Sequence, residues 1–186
     1  MFLKRDDPHL LIIGMTGVKM GDRFLQVGCT HGGRLAAVAG KVGLSGRAVL
    51  VAPDEASAER GRKGAENAGV LIEIETAPAT RLPVDADDFD VVIVDDSGGL
   101  LGSMGTEERV KVIREIRRVL RPAGRALLIG SAPRGGIGAF LSRAPEGPRF
   151  AEAAEHALEA QGFKAVHTLA ERDGLAFVEG TKPRHG

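Results

Sequence analysis

A glycine-rich turn between an apolar run and a helical segment constrains this chain more than any other feature. Residues 24–27 read FLQV and are followed by GCTHGG at 28–33. Glycines let the backbone approach a ligand, and the free N–H groups of a helix start favour polar or anionic groups. Thr30 replaces the middle glycine of the dinucleotide pattern and of the shorter GxGxG form, so a purely structural turn is the alternative. The turn predicts a ligand site.

Apolar runs of strand length alternate with amphipathic helical stretches along the chain. This order is typical of a parallel sheet with helices on both faces. The run VVIV at 91–94 is continuously apolar, as expected for a strand covered on both sides. We predict strands at 23–28, 47–52, 70–75, 90–95, 125–130, 163–169 and 175–179, and helices at 32–42, 55–68, 106–120 and 149–161.

The last two predicted strands are separated only by residues 170–174, a hairpin-sized gap, so the final strand should run antiparallel to its neighbour. The expected fold is therefore Rossmann-like α/β: a doubly wound, mainly parallel, seven-stranded sheet with a C-terminal antiparallel β-hairpin. We expect residues 1–186 to form one domain. Residues 1–20 would form an N-terminal cap segment, with Asp7 capping a short helix, and residues 131–148 a lid loop or, alternatively, a partner-binding loop.

Composition bounds the partners and the compartment. Lys plus Arg and Asp plus Glu number 25 each, so no net field draws the chain to nucleic acid or to an anionic membrane. A single cysteine suits a reducing cytoplasm, where we expect the protein to act. No basic stretch followed by a long apolar one marks a secretion signal, and LLII at 10–13 is too short to span a bilayer. We expect a small-molecule substrate rather than nucleic acid or a membrane.

Four segments follow one another at spacings familiar from one enzyme family: KMGDRFLQVGC at 19–29, ATRLP at 79–83, FDVVIV at 89–94 and VLRPAGRALLI at 119–129. Together they resemble the class I S-adenosylmethionine-dependent methyltransferases, particularly the small-molecule group that includes the quinone C-methyltransferases. The resemblance covers residues 17–180. It implies S-adenosylmethionine as cofactor and methyl transfer to a small, hydrophobic acceptor. It also implies a seven-stranded sheet that ends in a reversed hairpin.

Three acidic residues that the family usually places around its cofactor are replaced here. Gln26 stands in the first strand, Ala52 at the end of the second, and Pro78 before the segment that meets the adenine. A hydrogen bond to a charged group is worth about 1.5–3 kcal/mol, so losing the ribose carboxylate alone weakens binding about tenfold or more. Asp54 or Glu55 would have to supply that carboxylate. The alternative function is a non-catalytic binding or scaffold subunit that has lost the cofactor and binds a protein partner.

The resemblance also assigns roles to particular residues. Ala79 and Thr80 would flank the adenine, and the end of the fourth strand would face the acceptor. There, Asp95 and Asp96 are the candidate catalytic residues, as a general base or as a group that orients the acceptor; a solvated loop start is the other interpretation. The implied cofactor-binding residues are Gln26, Gly28, Cys29, Thr30, His31, Gly32, Ala52, Pro53, Asp54, Ala79, Thr80 and Asp95.

Other chemistry is less well supported by the same residues. Cys29 and His31 lie at a helix start, where a thiolate is stabilised, so a nucleophilic Cys29 is an alternative to a packing role. A metal site would need carboxylates after the fifth strand, and GSA at 130–132 supplies none, so we expect no metal. Thr30, Ala52 and the terminal hairpin disfavour a nicotinamide-dependent enzyme.

The polar side of the helix predicted at 106–120 is basic. Cations toward a helix C-terminus interact favourably with its dipole, so a solvated face explains most of them. An RNA-facing surface is the alternative, and the balanced charge and the absence of Trp and Tyr count against it.

Overall fold

A computed structural model describes residues 9–132 and 149–184. Its helices and strands alternate along most of that part of the chain. The strands are β1 Arg23–Val27, β2 Arg47–Ala52, β3 Glu73–Thr76, β4 Phe89–Asp95, β5 Leu120–Ser131, β6 Lys164–Arg172 and β7 Leu175–Thr181. The helices are α1 Leu10–Thr16, α2 Gly32–Val42, α3 Glu55–Ala68, α4 Thr106–Val119 and α5 Phe150–Ala160.

The strands form one sheet in the order β3-β2-β1-β4-β5-β7-β6. The first five in this order are parallel; Leu25 of β1, for example, pairs with Val49 of β2 and Val92 of β4. Strand β7 is antiparallel to both β5 and β6. The predicted Rossmann-like, mainly parallel sheet with an antiparallel C-terminal hairpin is therefore confirmed. The loops after β1, β2 and β4 share the carboxyl edge of the sheet, where such folds open a ligand crevice.

Apolar side chains cover both faces of β4. Val91 and Ile93 pack in a cluster with side chains of α2 and α3, whereas Val92 and Val94 pack with side chains of α4 and α5. None of the four is more than 2% exposed. Burying such a side chain is worth about 1.5–3 kcal/mol, so this strand anchors the carboxyl edge on both sides.

Two strands begin three or more residues away from their predicted starts, whereas β4 and β6 differ by one residue. Strand β3 starts at Glu73 instead of residue 70, because its parallel pairing with β2 begins where Val49 meets Glu73. Strand β5 starts at Leu120 instead of residue 125, because Leu120 already pairs with Phe89 across an irregular register. The segment RPAG after α4 therefore lies within β5, where Ala123 has a left-handed φ of 66°.

Helix α1 begins at Leu10, with His9 in the N-cap position, and buries Ile12 in the cluster that also holds residues of α2. The predicted cap, Asp7, lies outside the described residues, and so does the predicted lid apart from its first two residues. In the described ranges no helix is long and apolar enough to cross a membrane.

Candidate functional site

The predicted ligand turn packs directly against the end of β4. Gly28 has a φ of 79°, a left-handed conformation that favours glycine. A Cβ at this position would lie 3.1 Å from Cδ2 of Leu100 and 3.2 Å from the carbonyl oxygen of Asp95. Its N–H donates to the carbonyl oxygen of Val51 on the opposite side, at 3.0 Å. Glycine therefore allows the turn to lie between the ends of β2 and β4.

The Asp95 carboxylate joins the turn to β4. Its Oδ2 accepts a 2.8 Å hydrogen bond from the N–H of Thr30. Its Oδ1 accepts hydrogen bonds from the Ser97 hydroxyl at 2.6 Å and from the Ser97 N–H at 3.2 Å. The residue is 6% exposed. The structure thus brings together two of the predicted site residues, Thr30 and Asp95, through a charge-assisted hydrogen bond.

Asp96 faces away from the turn, toward the loop that follows β4. Its N–H donates to the carbonyl oxygen of Ile129 at 2.7 Å, which continues the pairing with β5. One carboxylate oxygen accepts the N–H of Leu101 at 2.5 Å. Burial raises the pKa of the Asp96 carboxyl above its ordinary value, although the N–H groups of Leu101 and Gly102 oppose that effect. Asp96 therefore holds a proton more readily than an exposed aspartate does.

Cys29 is tied to α3 through its backbone. Its N–H donates to the Ser57 hydroxyl at 2.8 Å, and its carbonyl oxygen accepts Nε of Arg60 at 2.7 Å. Burial, and then the charge of Asp95, raise the pKa of the thiol to about 11. The expectation of a stabilised thiolate is therefore wrong: desolvation outweighs the helix start. Sequence reasoning missed Ser57 and Arg60, because no local signal shows which face of α3 meets the turn.

Where the family's usual acidic residues are missing, the residues present make contacts within the protein. The buried Gln26 amide donates to the carbonyl oxygen of Gly28 at 2.8 Å. Ala52 is fully buried, and its carbonyl oxygen accepts the N–H of Ala77 at 3.0 Å. The Asp54 carboxylate caps α3 by accepting the N–H of Ser57 at 2.7 Å. In this structure Asp54 acts as a helix cap.

The residues assigned to the adenine differ in exposure. Ala79 is buried in the same apolar cluster as Val27 and Val94, Thr80 is half-buried, and Pro78 is exposed. Pro53, which is also half-buried, connects β2 to the cap of α3. Their roles toward a cofactor stay predictions.

His31 and Gly32 belong to a different surface. His31 is the N-cap residue of α2, and both residues line a cleft between α2 and α3, on the side of the turn that faces α3. Thr30 lines this cleft as well and also donates to Asp95, whereas Gly28 and Asp95 do not line it. In the part of the chain that the structure describes, no group of three or more His, Cys, Asp or Glu side chains is placed to hold a metal ion.

Sequence relatives of this chain are methyltransferases. A family described as Methyltransferase domain matches residues 24–124, which is more than half of the 186 residues. The chain is 29% identical over 119 residues to the ubiquinone/menaquinone biosynthesis C-methyltransferase UbiE of Idiomarina loihiensis. It is 30% identical over the same length to the protein of that name in Escherichia fergusonii. Each match covers 63% of this chain and 45% of the relative, so the chain spans less than half the length of these relatives.

Solved structures of methyltransferases share the fold. A SAM-dependent methyltransferase from Aquifex aeolicus matches with a TM-score of 0.71 at 18% identity, covering 95% of this chain and 94% of the other. A SAM-dependent O-methyltransferase from Thermotoga maritima matches with a TM-score of 0.69 at 16% identity, covering 98% and 67%. At such identities the likeness is one of fold.

Proposed function

Because the chain belongs to the methyltransferase-domain family, within the class I S-adenosylmethionine-dependent methyltransferases, we propose that it transfers a methyl group to a small, hydrophobic acceptor. S-adenosylmethionine is the cofactor of this family. The names of the curated relatives favour a ring carbon of a quinone-type compound as the methylated atom.

The observation that carries the proposal is a pair of buried carboxylates where β4 ends. Asp95 and Asp96 are 6% and 9% exposed, and within the described ranges neither forms an ion pair with Lys, Arg or His. S-adenosylmethionine carries positive charge on its sulfonium and ammonium groups. Negative charge in a partly desolvated crevice attracts such a cation more strongly than it would in bulk water. The residues at this edge therefore fit the methionine end of the cofactor.

The chain's own contribution to the reaction is mainly alignment. The bound cofactor supplies an electrophilic methyl group, and transfer requires the acceptor atom to lie behind that methyl carbon, so positioning matters more than any single base. Asp95 fixes the turn by holding the N–H of Thr30. Asp96, with its raised carboxyl pKa, is the proposed residue to exchange a hydrogen bond or a proton with an acceptor hydroxyl.

The second candidate is a non-catalytic subunit of the same fold. Two observations favour it: the Asp54 carboxylate is engaged as the cap of α3, and Gln26 is bonded within the turn. The ribose hydroxyls of S-adenosylmethionine would then find no carboxylate partner, so the cofactor would not bind. The crevice would serve a protein partner or no ligand.

Calorimetric titration with S-adenosylmethionine and its demethylated product decides between the two. We expect saturable binding, with the fold stabilised by about 2.7 kcal/mol when the ligand is about a hundred times its Kd. Asp95→Asn should weaken binding about tenfold or more, since it removes the charge beside the turn. Asp173→Asn, an equal change in the exposed β6–β7 turn, should leave binding unchanged. A folded wild-type protein that binds neither compound at millimolar concentration would support the non-catalytic subunit.

Methyl transfer itself is tested with radiolabelled S-adenosylmethionine and a set of hydrophobic quinols and phenols. Label should enter a ring carbon of a quinol. If the cofactor bound but no methyl group were transferred to any quinol, the proposal of a quinone-type acceptor would be rejected. The proposal of methyl transfer to a small acceptor would still stand.

A further inference from the structure

A second cleft lies on the outer side of the turn, between the first turn of α2 and one face of α3. Its volume is about 750 Å³, within the usual size of small-molecule sites. It is lined by His31, Arg34, Arg60, Lys63 and Asn67, among others. The proposed function uses none of these side chains.

The cleft exists because two glycines bring the helices together. A Cβ on Gly32 would overlap the carbonyl oxygen of Arg60, and a Cβ on Gly64 would overlap the backbone of Gly32. Backbone contact at this crossing places the first turn of α2 beside α3. Residues three, four and seven positions apart share one face of a helix, so Arg60, Lys63 and Asn67 all face the same opening.

Positive charge in the cleft is largely uncompensated. In the described part of the chain, neither Arg34 nor Arg60 forms an ion pair, and Lys63 has Glu59 at 3.4 Å. Arg60 donates through Nε to the carbonyl oxygen of Cys29, which leaves its two terminal amino groups for another acceptor. The guanidinium is thus fixed at one nitrogen, and the nitrogens that form the guanidinium fork remain available.

The start of α2 adds to this charge. Its N-cap residue, His31, makes no side-chain cap hydrogen bond, and the first turn of the helix contains no acidic residue. The side chains of residues 9–132 and 149–184 therefore leave the positive end of this helix unneutralised, beside three cationic side chains.

We propose that this cleft binds a compact phosphorylated small molecule, with its phosphate groups between Arg34, Arg60 and Lys63. Arginine forks and ammonium groups are the usual phosphate ligands, and a helix start supplies further N–H donors. The size of the cleft and the zero net charge of the whole chain favour a small anion over a nucleic acid. The cleft lies on the α3 side of the turn and the crevice assigned to S-adenosylmethionine on its β4 side, with Thr30 bordering both.

Calorimetric titration with sodium pyrophosphate at constant ionic strength tests the site. We expect saturable binding, weakened about tenfold or more by Arg34→Gln and less by Lys63→Gln, whose ammonium already has a carboxylate neighbour. Lys41→Gln removes an equal charge from the exposed C-terminal end of α2 and should not change the Kd. Saturating S-adenosylmethionine should also leave pyrophosphate binding unchanged.

Three results would overturn the proposal. The first is no saturable binding to the folded wild-type protein up to about 10 mM pyrophosphate. The second is equal weakening by Lys41→Gln and Arg34→Gln, which would indicate a general charge effect. The third is competition with S-adenosylmethionine, which would place the anion inside the turn. If S-adenosylmethionine did not bind at all, the proposed methyltransferase function would be rejected. The first two results would still test the phosphate site, because neither depends on the cofactor.

Discussion

At the scale of single residues, burial and hydrogen-bond donors set the chemistry of this site. Asp95 and Asp96 are adjacent in sequence, yet Asp95 accepts the N–H of Thr30 in the turn as well as donors from Ser97, whereas Asp96 accepts the N–H of Leu101 in the loop after β4. Cys29 has backbone partners on α3 and a buried thiol. Neighbouring side chains therefore have different tasks, and substitution can separate them.

The thiol of Cys29 predicts a loss of stability at alkaline pH. Folding raises its pKa from 9.0 to about 11, so the folded state holds the proton more tightly than the unfolded chain. This stabilisation is complete below pH 9 and is lost as the pH rises through 11. Over that interval the free energy of unfolding in urea should fall on the order of 2–3 kcal/mol further in wild type than in Cys29→Ala. The variant loses packing at every pH, so parallel pH curves would contradict the prediction.

The raised pKa of the Asp96 carboxyl predicts how removing this buried charge changes the free energy of unfolding. A carboxyl group whose pKa is raised by folding stabilises the fold at low pH, and that contribution is lost as the pH rises through the raised pKa. At pH 7, Asp96→Asn should therefore leave the free energy of unfolding unchanged or raise it. Asp95→Asn should lower it by about 1–3 kcal/mol, because Asp95 accepts three hydrogen bonds.

Chemical denaturation of both variants between pH 4 and pH 8 makes the comparison. The advantage of Asp96→Asn should shrink as the pH falls. An equal loss of stability in the two variants at pH 7 would contradict the prediction, because it would show that the charge of Asp96 stabilises the fold.

At the scale of helices and strands, the approach of α2 to α3 is the tightest contact near the site. Gly64→Ala places a methyl group on the backbone of Gly32 and should destabilise the protein by about 1–3 kcal/mol or more. Gly40→Ala is a matched control, since its Cβ would find only Cγ1 of Val70 at an ordinary 3.6 Å. Alanine there should stabilise α2 by about 0.5–1 kcal/mol. Thermal unfolding of the two variants measures both effects, and equal shifts would contradict the close helix contact.

Helices α2 and α3 were predictable to the residue because their end signals are local. Gly43 and Gly69 follow their last residues with positive φ, and Asp54 caps α3. The starts of β3 and β5 were not predictable in this way, because each depends on a partner strand distant in sequence.

The candidate site shows the same division. The parallel order of the strands predicts that the end of β4 lies near the turn, and Asp95 does contact Thr30. The rotation of α3 that brings Ser57 and Arg60 to Cys29 depends on the glycine contact between helices. No periodicity in either helix encodes that rotation.

At the scale of the whole molecule, balanced charge governs behaviour in solution. Acidic and basic residues number 25 each, so the formal net charge is zero at pH 7, and the five histidines add positive charge below it. We expect solubility to be lowest near pH 7 and to rise on either side. The double variant Lys41→Glu, Lys111→Glu should move this minimum to lower pH. Turbidity or precipitation assays across pH at low salt measure it, and a minimum that does not move would contradict a net-charge origin.

The position of β7 between β5 and β6 also determines when the sheet can be completed during translation. The ribosome releases residues in sequence order, yet the strand that pairs with β5 is made after β6. Until residues 175–181 emerge, β5 presents an unpaired edge and β6 has no neighbour to join. A nascent chain at that stage carries the kind of open strand edge that chaperones cover, and one late insertion closes it.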